Sequence, residues 1–388
     1  MAFSLSGVPL TLQNLKDILQ KKSLLEIPAD ILSDLSTGKD SVNPDQAAIA
    51  QEYLAVHAVS FGPEITEEII RLTFIIHLQN LVSQNTVEIQ ATTINRLLAF
   101  YNRDIFPLVQ QQGSSAAQLA QLILPAVGVG KVKYQGYELN AADILDIFSW
   151  EPLNLTPAEV TALLQGETFS LAYSASNLLL AKFAIAWVTY LGTVFTQIAS
   201  ANPDEINLKA GQLQSTFEKA EQAFATSQPK ASATESTAYL TNTLSELINR
   251  LQSCTDVLAQ YTAETFENLI STSEPPATTS FAQALALIQI LQLQTKQFKV
   301  PESNAGEATM LLQLLNKTLA SFIPVTEQII ALAFWSVSQV GKVFNLAAEN
   351  ITLAAYYHSE LFVPKEMVTT QLDKTITFIK THIPTNQA

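Results

Sequence analysis

Apolar residues recur at helical spacing along most of the chain, and this constrains the fold more than any other feature. Leu12, Leu15, Ile18 and Leu19 share one helix face, as do Ile65, Ile69, Leu72 and Ile76, with Leu78 and Leu81 flanking the second stripe. Ile94, Leu97, Leu98 and Tyr101 form a third stripe. Thr156-Pro157-Ala158-Glu159 predicts a helix start: Thr156 caps, Pro157 has no N–H to waste at the first helical position, and Glu159 reaches back to the cap. That helix runs to Leu164 and ends at Gly166. A long helix from Tyr239 to Ile270 carries Leu240, Leu244, Leu247, Leu251 and Leu258. Further helices are expected over 281–298, 305–322 and 324–357, with Pro324 starting or kinking the last. Only 12 of the 388 residues are glycine, which leaves few positive-φ positions for hairpins or phosphate loops. The expected fold class is all-α: long antiparallel helices in a bundle, with a smaller N-terminal helical region. We place that region at 1–150 and the central bundle at 151–388, with small, polar, proline-bearing linkers at 225–236 and 271–280.

Charge and composition exclude several functions. Asp and Glu number 35 against 21 Lys and Arg, a net charge of −14 with no basic run. Binding to nucleic acid or to anionic lipid needs clustered cations, so neither partner is expected. The one cysteine, Cys254, precludes an internal disulfide and reads as a buried small hydrophobe in a reducing compartment. Residues 1–12 have no basic stretch and no long apolar core, so no leader is expected and the cytoplasm is the expected location. Phe183–Ala201 has no charge and is long enough to span a membrane, but Thr189, Thr193, Thr196, Gln197 and Ser200 dilute it; a buried bundle helix is the preferred reading. His57, His77, His358 and His382 are too scattered for a metal-ligand pattern, so no metal is expected. No Gly-x-Ser-x-Gly is present, Gly128-Val129-Gly130 reads as a turn, and Glu67 and Glu68 read as a solvated helix face.

Several segments occur in a telling order. Leu10-Thr11-Leu12-Gln13-Asn14-Leu15 opens the chain, and His57-Ala58-Val59-Ser60-Phe61-Gly62 follows. Then come an Arg-bearing helix over 71–87, the stretch 97–109 (LLAFYNRDIFPLV) and 128–136 (GVGKVKYQG). Ala141-Ala142-Asp143-Ile144-Leu145, Glu151-Pro152-Leu153-Asn154-Leu155 and 158–167 (AEVTALLQGE) complete the series. In order and spacing these resemble the histidine and aromatic amino-acid ammonia-lyase superfamily over roughly residues 8–225; beyond 225 only the style of long helices matches. The resemblance implies an ammonia-lyase-like helical bundle, assembly into tetramers whose sites combine loops of several subunits, and a methylidene-imidazolone electrophile made from an internal Ala-Ser-Gly triad.

The parts that carry that chemistry are rewritten. Where the family has its triad, this chain reads Gly113-Ser114-Ser115-Ala116-Ala117-Gln118, about two residues short and without Ala-Ser-Gly. A Cβ in place of the glycine hinders the ring closure, so no imidazolone cofactor is expected. Residues 36–45 (STGKDSVNPD) hold no counterpart of the family's tyrosine-base loop. Its Asn-Gly-Thr reads Gln165-Gly166-Glu167, and its later Arg-bearing segment falls in the 225–236 linker. By family position the candidate pocket residues are Gln165, Glu167, His57, Ser114, Ser115 and Gln118, none with an assigned catalytic role. The implied function is a lyase-like protein without ammonia-lyase activity, a pseudoenzyme that binds a ligand or pairs with itself or with a full-length lyase-like subunit. The alternative is an imidazolone-independent enzyme using Glu167 as general acid or base on a small aromatic or amino-acid-derived molecule; against it stands Glu167 as a helix cap.

Overall fold

The computed structural model describes residues 2–36, 43–84, 89–198, 203–228, 234–275, 277–301, 308–344, 352, 355–356, 368–382 and 384. In chain order the elements are β1 (Ala2–Ser4), α1 (Leu12–Lys21), β2 (Leu24–Glu26), α2 (Ala29–Ser36), α3 (Pro44–His57), β3 (Phe61–Glu64), α4 (Glu67–Gln84) and α5 (Ala91–Asn102). There follow β4 (Phe106–Pro107), β5 (Gln110–Gln112), α6 (Ser115–Ile123), β6 (Lys131–Tyr134), β7 (Tyr137–Asn140), α7 (Ala141–Ile147) and α8 (Pro157–Leu163). The long helices close the order: α9 (Thr168–Ile198), α10 (Pro203–Thr226), α11 (Thr234–Thr272), α12 (Ala277–Thr295), α13 (Ala308–Phe344) and α14 (Val368–Thr381). Helices dominate, and the strands form only small open sheets, as the helical periodicity requires.

Two compact units divide the chain, one of residues 1–176 with 221–240 and one of residues 177–220 with 241–388. In the first, α3 packs on α6 and α8, and α4 packs on α5. The predicted stripes are its core: Leu12, Leu15, Ile18, Ile69, Leu72, Ile76, Ile94 and Leu97 are all buried. Two short strands pair in parallel, Ala2 with Leu24 through Ser4 with Glu26. Side-chain amides pair with backbone that has no strand neighbour on that side. Gln228 receives the Leu10 N–H at 2.7 Å and donates to the Leu10 carbonyl at 2.6 Å. Asn102 does the same for Leu25, at 2.8 and 2.9 Å. A primary amide has one donor and one acceptor in the geometry of a strand neighbour, which is why it can satisfy a lone backbone segment.

The predicted start at Thr156 is present as a capping box: Thr156 Oγ1 accepts the Glu159 N–H at 3.1 Å, and Glu159 reaches back to the Thr156 N–H. Glu159 is wholly buried and does more than cap its own helix. Its Oε1 also accepts the Gln90 N–H at 3.0 Å and the Thr93 hydroxyl at 2.6 Å, and its Oε2 the Gln90 side-chain amide at 3.2 Å. One carboxylate therefore closes the N-termini of α8 and α5, where the backbone N–H groups and helix dipoles favour negative charge.

In the second unit, α12 and α14 each pack on α13. The uncharged stretch at 183–198 lies in α9, with Trp187, Tyr190, Leu191, Val194 and Phe195 buried. The Trp187 indole N–H faces the carbonyls of Ile379 and His382, each at 3.2 Å. By length and composition α9 and α13 could each cross a membrane; here their apolar faces are largely protein core. Cys254 is buried, and burial pushes its thiol up to about 11. Pro324 does not start a helix, as one of the two expectations had it, but lies inside α13. Phe322, Ile323, Ile329 and Ile330 are buried on both sides of it, and that burial outweighs the one missing backbone hydrogen bond. The expected segment from 324 to 357 lies partly outside the described residues.

Replacing Glu159 leaves several enclosed donors without an acceptor. Glu159→Ala is expected to lower unfolding free energy by about 3 kcal/mol in urea denaturation, with Glu159→Gln losing about half as much because one oxygen remains. A Glu159→Ala protein as stable as the parent would show that the shared cap holds nothing together.

Candidate functional site

Three stretches that are far apart in sequence meet in the first unit. The 57–62 turn follows α3 and leads into β3, which pairs antiparallel with β5 (Phe61 with Gln112, Glu64 with Gln110). Gly62 takes φ +93° there. Two glutamines of α6 lock this strand pair to the helix. Gln121 accepts the Gln110 N–H at 2.9 Å and donates to the Ala58 carbonyl at 3.3 Å. Gln118, which is buried, donates to the carbonyls of Gln110 and Gln111 at 3.3 and 3.0 Å. Gly113 is needed for close approach: a Cβ there would lie 2.7 Å from the Ser60 Cβ.

The third stretch is the turn after α8. Gly166 at φ +95° ends that helix, and Ser115 Oγ donates to the Gly166 carbonyl at 2.9 Å. The start of α6 is thereby tied to the Gln165–Glu167 turn. Glu167 precedes α9; its carbonyl accepts the Leu171 N–H at 2.9 Å and its carboxylate the Ser170 hydroxyl at 3.1 Å. This is the geometry of a helix-start residue.

Of the six expected pocket residues, the structure joins Ser114, Ser115 and Gln118 to the 165–167 turn through that one hydrogen bond. Ser114 caps α6, its Oγ accepting the Ala117 N–H at 3.2 Å. Gln165 is exposed and Glu167 half-buried. His57 turns to its own helix: Nδ1 sits 2.8 Å from the Tyr53 carbonyl, and its ring lies 4.2 Å from the Tyr53 ring. Among the described residues, none of the hydrogen bonds links the His57 ring to the other five. The expected tyrosine-loop position at 36–45 lies mostly outside the described residues.

A methylidene-imidazolone requires the amide nitrogen of one residue to close on the carbonyl carbon two residues earlier, with glycine at the nitrogen. Here the Ser114 carbonyl is the first helical acceptor, receiving the Gln118 N–H at 3.0 Å, and the Ala117 N–H is held by Ser114. Residues 114–118 include no glycine, so any of them supplying the nitrogen would carry a Cβ. The residues present do not fit the group. Among the described residues, no three His, Cys, Asp or Glu side chains converge as metal ligands.

Sequence reasoning missed His77, which lies on α4 beneath this junction. It is buried, with Nδ1 3.5 Å from Thr168 Oγ1 and Nε2 enclosed without a partner. Burial pushes its imidazole down to about 4, so the ring is neutral at pH 7. Ser60 Oγ is likewise enclosed without a partner. His77 sits in the apolar stripe of α4, where only its being a lone polar residue among Ile75, Ile76 and Leu78 marks it; Ser60 in the 57–62 turn carries no such mark.

Two outcomes follow. Gly113→Ala should destabilise the protein by about 1–2 kcal/mol in chemical denaturation, and adding Ser60→Gly should restore most of it, since the obstructing Cβ is then gone. For His77, the unfolded chain takes up a proton near pH 6.5 that the folded chain resists down to about pH 4. Stability attributable to this residue is therefore full above about pH 6.5, falls as pH drops, and levels off below about pH 4, a loss of about 3 kcal/mol. Comparing urea unfolding from pH 7 to pH 4, His77→Gln should lose less stability than the parent; equal slopes would refute the buried neutral ring.

Comparison with known proteins agrees with this layout. The aromatic amino acid lyase family model matches residues 36–266, more than half of the chain. Histidine ammonia-lyase of Streptococcus pyogenes serotype M1 is 31% identical over 141 residues, 35% of this chain and 27% of that protein. Histidine ammonia-lyase of Legionella pneumophila is 29% identical over 151 residues, 38% of this chain and 30% of that protein. The chain thus aligns with less than a third of the length of these curated relatives. The crystal structure of histidine ammonia-lyase from Trypanosoma cruzi superposes with a TM-score of 0.79 at 15% identity, covering 98% of this chain and 94% of that one. Tyrosine aminomutase from Streptomyces globisporus gives 0.75 at 12% identity, covering 98% and 97%. At such identities the likeness is one of fold, whereas the family match rests on the sequence itself: the chain belongs to the aromatic amino acid lyase family.

Proposed function

We propose that this family member does not carry out imidazolone-dependent ammonia elimination and serves as a non-catalytic subunit, pairing with a second copy or with a full-length lyase-like chain. One observation carries the reading. The stretch that would have to cyclise is a capped helix start, with Ser114 as its cap and first acceptor and with Cβ-bearing residues throughout 114–118. The same side chains that the resemblance places in a pocket have structural tasks here. Ser115 ties two segments together, Gln118 holds β5 to α6, and Glu167 opens α9. What the chain shares with its structural neighbours is the helical framework. A site that loses a single member of a catalytic constellation loses most of its rate, so losing the electrophile leaves the framework with binding and assembly.

Glu167 as a general acid or base in a remodelled pocket is the weaker reading, because its carboxylate accepts the Ser170 hydroxyl at the start of α9. The cytoplasm remains the expected location and a small-molecule ligand remains an expectation of the same reading.

Purified protein incubated with histidine, phenylalanine and tyrosine is expected to give no ultraviolet-absorbing elimination product above the blank. Native mass spectrometry, alone and mixed with a full-length lyase, is expected to show a complex. Turnover of any of the three, or a strict monomer under both conditions, would overturn the proposal.

A further inference from the structure

Helix α12 runs from Ala277 to Thr295 without one charged residue, although 14% of the chain is charged. One face of it is core: Phe281, Ala284, Ile288 and Leu291 are buried, and the helix packs on α13. The opposite face is the unusual one. Leu287, Ile290 and Leu293 are 39%, 53% and 62% exposed. They follow at three-residue steps with Ile290 in the middle, and the rest of the exposed face is alanine, glutamine and threonine. A surface helix normally turns charged residues to water, and an exposed apolar patch marks a contact surface. The neighbouring α13 adds Met310 and Leu314, both exposed, in its first two turns.

Charge points to a second copy of this chain as the occupant. A copy carries the same net charge of −14, so two copies repel unless they meet where neither bears charge, and the α12 face is such a place. The exposed apolar side chains of α3, among them Tyr53 and Val56, fail this condition, because Asp45 and Glu52 are exposed on the same helix. The charges flanking α12 differ in sign: Glu274 precedes it and Lys296 and Lys299 follow it, all exposed. An antiparallel pairing turns the acidic end of one copy toward the basic end of the other, whereas a parallel one sets like on like. A two-fold axis at Ile290 places Leu287 of one copy against Leu293 of the other, the self-complementary contact that this symmetry requires. The helix is about 28 Å long, and with α13 beside it at about 10 Å the face covers roughly 600 Å², less than the about 800 Å² per partner of a standard stable interface. We propose, on the reading that this chain pairs with itself, that two copies meet along α12, antiparallel about Ile290, as a reversible dimer with a micromolar dissociation constant.

Sedimentation velocity of the full chain over about 1–100 μM is expected to show a concentration-dependent monomer–dimer equilibrium. Ile290→Glu, at a half-exposed position where the monomer fold tolerates a charge, should weaken association at least about tenfold, because two carboxylates then meet on the axis. Ile290→Lys should do the same. Mixing the two variants should restore a dimer, read by native mass spectrometry as a species containing one chain of each. Val56→Glu on α3 should associate like the parent, and circular dichroism of every variant should match the parent's. A parent that stays monomeric over the whole range would overturn both this surface and the pairing with a second copy. A parent dimer that Ile290→Glu leaves as tight, or Ile290 variants that weaken association yet form no mixed dimer, would overturn the surface and leave self-pairing to another face.

Discussion

A single buried carboxylate organises the first unit. Glu159 receives hydrogen bonds from Thr156, Gln90 and Thr93, and so fixes the start of α8 against the start of α5. Two features stand on those helices. The turn after α8 presents Gly166 to Ser115, and the face of α5 presents Arg96 to Trp150. A charge enclosed in protein is tolerable only when each oxygen is met by donors, and helix N-termini supply donors in excess. The arrangement therefore satisfies one anion and two helix ends at once.

The junction at 57–62, 113–118 and 165–167 is built for rigidity. Its backbone groups are held by Gln118 and Gln121, and its close approach at Ser60 admits only glycine at 113. Rigid positioning of loops is what a catalytic framework needs, and the family to which the chain belongs accounts for why it is there. The reactive segment is the part that departs: it continues as ordinary helix from a serine cap. A framework of this kind, without the residues that would cyclise on it, is well suited to assembly.

Much of this was legible in the sequence, and the reason is local physics. The Thr156–Glu159 cap, the buried stripes of α1, α4 and α5 and the turn glycines at 128, 130 and 166 all depend on neighbours within a few residues. What escaped depends on partners far away. The second task of Glu159 lies 66 residues back at Thr93, and His77 meets Thr168 across 91 residues. Pro324 misled for a related reason: its local preference is to end a helix, and distant burial of Phe322, Ile323, Ile329 and Ile330 overrules it. At the candidate site, Ser115 meets the Gly166 carbonyl across 51 residues, a contact no local pattern reports, while His57 faces Tyr53 on its own helix.

The central claim is that the backbone at 113–118 stays uncyclised. Intact mass spectrometry of the denatured, full-length chain tests it most directly, because imidazolone formation removes two waters from the polypeptide. The account predicts a mass equal to that of the unmodified sequence, with no excess near-ultraviolet absorbance; a deficit of two waters would contradict it.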